Sequence, residues 1–133
     1  MNNFVELYRA SGQPATGAIT MHASVEPVIG DSVTIGGQAY VLGTHFSGAD
    51  PMARAKSLVA AINAEPNTTL NPVPDTQPVK NYYAVFYGRL VRLIATTGGV
   101  IGNSITLATS NAAAFQISAA TFTGGVAAGA LIP

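Results

Sequence analysis

Few residues in this chain are of a type that does chemistry. The histidines are His22 and His45, the aspartates Asp31, Asp50 and Asp75, and the glutamates Glu6, Glu26 and Glu65. No two carboxylates stand three or four residues apart, and neither His-x-x-x-His nor Glu-x-x-His occurs, so the usual ways of gathering metal ligands on one helix face are missing. Ser47, His45 and Asp50 can be drawn as a triad. They lack a nucleophile-elbow pattern, and three neighbouring loop residues rarely point along one proton path. Asp50, followed by Pro51, has a better role as a helix cap. Cysteine is absent, which removes disulfides, thiolate nucleophiles and thiolate metal sites. The run Gly98-Gly99-Val100-Ile101-Gly102-Asn103 is not Gly-x-Gly-x-x-Gly, lacks a following Lys-Ser/Thr and is expected to lead into a strand, so it reads as a turn. Tyr82, Tyr83, Phe86 and Tyr87 offer rings on which bases could stack, but no basic cluster accompanies them, and core or interface positions suit them better. These residues predict a non-catalytic protein with no cofactor and no metal site.

The composition points the same way. Charged residues make up 9% of the 133 and hydrophobic residues 48%, with six acidic against six basic side chains. An average soluble protein carries roughly 25% charged residues. Either a surface of neutral polar residues replaces the missing charge, or partners cover much of the surface, since interface cores are depleted in charge. Arg9, Arg54, Lys56, Lys80, Arg89 and Arg92 are scattered, so the counterion-releasing cluster of a nucleic-acid binder is absent, and direct nucleic-acid contact is not expected. Met1 to Glu6 lacks the basic-then-apolar pattern of a secretory signal. No stretch approaches the roughly 18–20 apolar residues of a membrane span, so no membrane partner is expected.

The elements that must position any site are legible along the chain. Ala18-Ile19-Thr20-Met21 opens a first strand. Ser32-Val33-Thr34-Ile35 and Gln38-Ala39-Tyr40-Val41-Leu42 flank Gly36-Gly37, a strong signal for a hairpin with a two-residue turn. That turn pairs Ile35 with Gln38 and Val33 with Tyr40, and puts Val33, Ile35 and Tyr40 on one buried face. After Asp50-Pro51, the spacing of Met52, Ala55, Leu58, Val59 and Ile62 predicts one face of a helix over about 51–64, with Arg54, Lys56 and Ser57 off that face and Pro66 beyond its end. Strands resume at Tyr82–Tyr87, Arg89–Thr96, Ser104–Thr109 and around 115–118 or 120–122. The expected fold class is α+β and mostly antiparallel β: a hairpin, one amphipathic helix and C-terminal strands, sandwich- or barrel-like, with the helix closing one face.

Around a single domain over 17–126 lie three segments of different character. An N-terminal arm over 1–16 carries Phe4, Val5, Leu7 and Tyr8, either packed on the core or gripping another subunit. A loop over 65–80 carries Pro66, Pro72, Pro74 and Pro78, and is either partner-bound or unstructured surface. A C-terminal tail over 127–133 carries Leu131 and Ile132 and suits docking on a neighbour. Phe4, Val5, Leu7, Tyr8, Pro72, Pro74, Leu131 and Ile132 are therefore the candidate partner contacts.

The order of these pieces has a likeness. Gly-Ala-Ile-Thr at 17–20, Gly-Asp-Ser-Val-Thr-Ile-Gly-Gly-Gln-Ala-Tyr at 30–40, and a helix ending Leu-Val-Ala-Ala-Ile-Asn-Ala at 58–64 come first. Arg-Leu-Ile-Ala-Thr-Thr-Gly-Gly-Val-Ile-Gly-Asn-Ser-Ile-Thr-Leu-Ala-Thr at 92–109 and Ala-Thr-Phe-Thr-Gly-Gly-Val at 120–126 follow. Over roughly 17–126 this resembles a module of tailed-bacteriophage virion structural proteins. The long proline-rich loop and the 1–16 arm depart from the compact module. The resemblance implies a virion role, assembly in the host cytoplasm and no catalytic residue. It does not fix the location; small size, neutrality, the lack of cysteine and apolar ends favour a head decoration (cement) protein whose partners are the major capsid protein and copies of itself, with a homotrimer suggested by the resemblance. A tail or baseplate component, such as a tube or connector subunit, is the alternative.

Overall fold

The computed structural model describes residues 12–64 and 80–128. Strand β1 spans Thr16–Met21, β2 Ser32–Ile35 and β3 Gln38–Val41. Helix α1 spans Pro51–Ile62, followed by β4 at Tyr82–Tyr87, β5 at Leu90–Ala95, a 3-10 turn at Val100–Ser104, β6 at Leu107–Thr109 and β7 at Phe115–Ile117. The strands form two antiparallel sheets, ordered β4-β5-β1-β7 and β3-β2-β6. Among the described residues the fold is thus α+β with one helix and seven strands. Its two sheets stay separate, so the barrel-like option does not close.

The hairpin register follows from the glycines. Gly36 and Gly37 both have positive φ, which a primed two-residue turn requires. Val33 pairs with Tyr40 and Ile35 with Gln38, and Val33, Ile35 and Tyr40 are buried. Helix α1 starts where expected: the Asp50 carboxylate accepts from the Ala53 N–H at 2.8 Å, with Pro51 in the first turn. It ends at Ile62, Asn63 is its C-cap, and Ala64 turns the chain at φ 52°. The Lys80 ammonium donates to the Ile62 carbonyl, one of the acceptors a helix end leaves open.

One core joins both sheets and the helix. Ile19, Met21, Val91, Leu93 and Phe115 from the larger sheet meet Val33, Ile35 and Tyr40 from the smaller, with Ala55, Leu58, Val59 and Ile62 of α1 against them. Phe46 and Phe115 pack with ring centroids 5.9 Å apart. Across the core the Tyr40 and Tyr82 hydroxyls hydrogen-bond at 2.7 Å, and Tyr82 also reaches the Ile35 carbonyl at 3.3 Å. Burying the two phenol groups is tolerable because both hydroxyls are hydrogen-bonded.

Several expectations need correction. Met52, placed on the buried helix face, is 53% exposed, because the first turn of α1 overhangs the β4–β5 turn at Gly88 instead of the core. Arg54, placed off that face, is buried. Its guanidinium reaches Glu26 at 3.0 Å and the Gly48 carbonyl at 3.2 Å under the 22–31 loop. Gly48 must be glycine, since a Cβ there would lie 2.4 Å from the Arg54 backbone nitrogen.

The arm expected over 1–16 loses residues 12–16 to the domain. Gln13 exchanges backbone hydrogen bonds with Val126, Thr16 does so with Thr123, and Ala15 is fully buried. The chain lies this close because Ala15 faces Gly102, where a Cβ would come within 3.0 Å of it. The Gly98–Asn103 run leads into the 3-10 turn and not directly into a strand, with Gly99 at φ 96° preceding that turn. Gly102 of this run serves packing, since a Cβ there would lie 2.6 Å from the Ala95 Cβ, and outside it a Cβ on Gly125 would lie 2.4 Å from the Gly99 carbonyl oxygen.

Candidate interaction surface

Among the described residues, the histidines and aspartates that could do chemistry are engaged in holding the chain, while Glu6, Glu65 and Asp75 lie outside those residues. Nδ1 of His22 accepts from the backbone N–H groups of Ser24 and Val25 at 3.0 and 2.9 Å. Nδ1 of His45 accepts from the Val41 N–H at 3.0 Å. Asp50 caps α1, and the Ser47 backbone N–H is taken by the Ser57 hydroxyl at 2.9 Å. The structure does not assemble Ser47, His45 and Asp50 into a hydrogen-bonded relay.

Asp31 accepts from the Asn111 amide at 2.9 Å and from the Val28 N–H at 2.9 Å. The Asn111 bond first, and the Val28 bond next, hold its carboxyl below the ordinary value of 3.8, because both stabilise the anion. Among the described residues no three His, Asp or Glu side chains gather as metal ligands, and no helix is long and apolar enough to cross a membrane.

A surface emerges instead from the strand register. Strands β4, β5, β1 and β7 alternate, and their inward residues form the core. Outward, cross-strand partners line up in three rows: Tyr83, Ile94 and Thr16; Val85, Arg92 and Ala18; Tyr87, Leu90, Thr20 and Gln116. All ten are half-buried or exposed. Tyr83 is 43% and Tyr87 64% exposed, and Arg92 is the one charge among the three rows. Phe86 and Met52 are exposed as well, but on the helix side of the sheet, since Phe86 shares its side with Tyr82 and Ala84. Tyr, Met and Arg are enriched in interface cores, where Lys, Glu and Asp are depleted. An aromatic-rich face around a single arginine matches that composition, and large exposed apolar patches mark interaction sites.

Smaller apolar groups stand elsewhere. Val28 and Ile29 project from the 22–31 loop, and Val100 and Ile101 from the 3-10 turn.

The contacts expected from the sequence, Phe4, Val5, Leu7, Tyr8, Pro72, Pro74, Leu131 and Ile132, all lie outside the described residues. Of the four aromatics weighed as stacking platforms, Tyr82 is core, while Tyr83, Phe86 and Tyr87 are exposed. The outer face is not among the contacts expected from the arm, the 65–80 loop and the tail. Its signal was present in the period of two: in Tyr82-Tyr83-Ala84-Val85-Phe86-Tyr87 both alternating sets are apolar, so one set must face away from the core. No protein-family model matches the chain, and no curated protein matches it either.

Proposed function

We propose that this chain is a non-catalytic structural subunit of a tailed-bacteriophage particle, and within it a head decoration protein that clamps neighbouring copies of the major capsid protein. The observation that carries the reading is the outer face of the four-stranded sheet, where Tyr83, Tyr87, Leu90 and Ile94 surround Arg92. A face of that chemistry suits burial against another protein. The low overall charge and the sequence resemblance support the same reading. In it, copies of the chain form a trimer on the outside of the shell, and no cofactor, nucleic acid or membrane takes part.

Quantitative mass spectrometry of purified particles tests this. A copy number comparable to that of the major capsid protein is the expected result. A number far below it would move the chain to the tail, baseplate, tube or connector, and the decoration reading would be abandoned.

A further inference from the structure

Among the described residues strand β4 ends its sheet, and its sequence is a poor one to leave at an edge. Tyr82–Tyr87 is six residues of aromatic and β-prone side chains with no charge, no proline and no glycine. Proteins usually protect such an edge with lysine, proline or a bulge, because its open N–H and C=O groups template pairing with another chain. None of those devices is present in β4.

A side chain supplies the protection. The Asn63 carboxamide donates to the Ala84 carbonyl at 2.8 Å and accepts from the Ala84 N–H at 2.9 Å. It therefore fills both backbone groups of one residue, as a partner strand would. Since both groups of Ala84 go to Asn63, they face away from β5, and Ala84 sits at the middle of the strand's outer edge. Antiparallel pairing of β4 with β4 of a second copy about a two-fold axis would centre on that position.

Asn63 is held there from both sides. Its own N–H donates to Val59 as the helix C-cap, and Ala64 at φ 52° turns the chain immediately after it. The edge of the other sheet is closed by the same kind of group. Gln38 Nε2 donates to the Ala39 carbonyl at 3.0 Å, and the His45 ring accepts from Val41 in β3.

We propose that Asn63 is an edge guard, its carboxamide occupying the strand-pairing groups of Ala84 so that copies of this chain do not join through β4. The guards are neutral, which suits a chain whose neighbouring surface is apolar and which would have to bury any charged guard in assembly. That last clause rests on the assembly reading; the guard itself does not.

The test is sedimentation of the full-length protein, free of particles, across a concentration series. Asn63→Ala frees the Ala84 groups, and its weight-average mass is expected to climb to at least twice the wild-type value as concentration rises, since each two-fold pairing joins two edges. Asn63→Asp loses the donor to Ala84 but puts a negative charge at the edge, and is expected to sediment as wild type. Adding Tyr87→Lys to Asn63→Ala places a charge beside the open edge and should restore wild-type behaviour. Amide exchange at Ala84 should accelerate in dilute Asn63→Ala and slow again in its associated form. A cooperatively melting Asn63→Ala that sediments as wild type overturns the proposal. Equal association of the Ala and Asp variants also overturns it, because general loosening of the fold would then be the cause. Should Asn63→Ala fail to fold, Asn63→Ser, too short to span both groups, takes its place under the same outcomes. Particle binding is not measured in this experiment, so its failure leaves the decoration reading untouched.

Discussion

Inward, the four-stranded sheet presents Ile19, Met21, Val91, Leu93 and Phe115 to the helix and the second sheet. Outward, the same strands present Tyr83, Val85, Tyr87, Leu90, Ile94 and Arg92. Both faces are largely apolar, yet only one is sealed. Core positions are filled on every side, so their side chains contribute through close packing as well as water exclusion. Outer positions lean on cross-strand neighbours alone and keep much of their area accessible. The difference separates two uses of the same residue chemistry: the inner set holds the fold, and the outer set is available to a partner.

Mutation breaks the comparison most strongly on the inner side. Leu58→Ala leaves a cavity under α1 and is expected to cost about 2–5 kcal/mol, read from denaturant midpoints. A change below about 0.5 kcal/mol would mean the helix face is not the sealed one. Tyr82→Phe should cost about 1–3 kcal/mol, because the buried Tyr40 hydroxyl then loses its bond to Tyr82. Replacing Tyr40 and Tyr82 together by Phe should cost less than the sum of the two single changes.

The outer face should respond in the opposite sense. Tyr83→Ser with Tyr87→Ser is expected to shift stability by no more than about 1 kcal/mol, as exposed positions do. The same pair should weaken binding to preformed shells. Retained binding by this double variant would remove the outer face from the proposed contact.

Acid gives the smallest effect, and it should bypass both faces. The core cluster contains no carboxylate, and the charge in the outer rows is Arg92. Asp31 is different, since the Asn111 and Val28 bonds lower its folded pKa below 3.8. The stability it contributes is fully present above that value and is lost as pH falls through the lowered one. Asp31→Asn should flatten that part of the stability–pH curve. An unchanged acid limb would place the dependence on other carboxylates.

Local rules made much of this fold readable. The Gly36-Gly37 turn dictated the hairpin register, and Asp50-Pro51 placed the helix start, because each acts through neighbours in the chain. Arg54 escaped such reasoning: its burial depends on Glu26 and Gly48, which the 22–31 loop and the helix approach bring together. Met52 failed for the reverse reason, having the right spacing but lying beyond the end of the sheet it was to cover. The contacts expected from the sequence lie in the N-terminal arm, the 65–80 loop and the C-terminal tail, outside the described residues, whereas the surface the described fold displays belongs to β4 and β5.

By itself the sequence determined the α+β class, the hairpin, the helix with its cap, and the poverty of catalytic groups. Those follow from periodicity, turn chemistry and residue type, which need no knowledge of distant neighbours. Only the tertiary structure decided which of two apolar faces of the larger sheet is buried, that Tyr40 meets Tyr82, and that Asn63 closes the edge at Ala84. The last two join residues 42 and 21 positions apart, and all three are fixed by how the sheets and helix stack, not by any stretch of chain read alone.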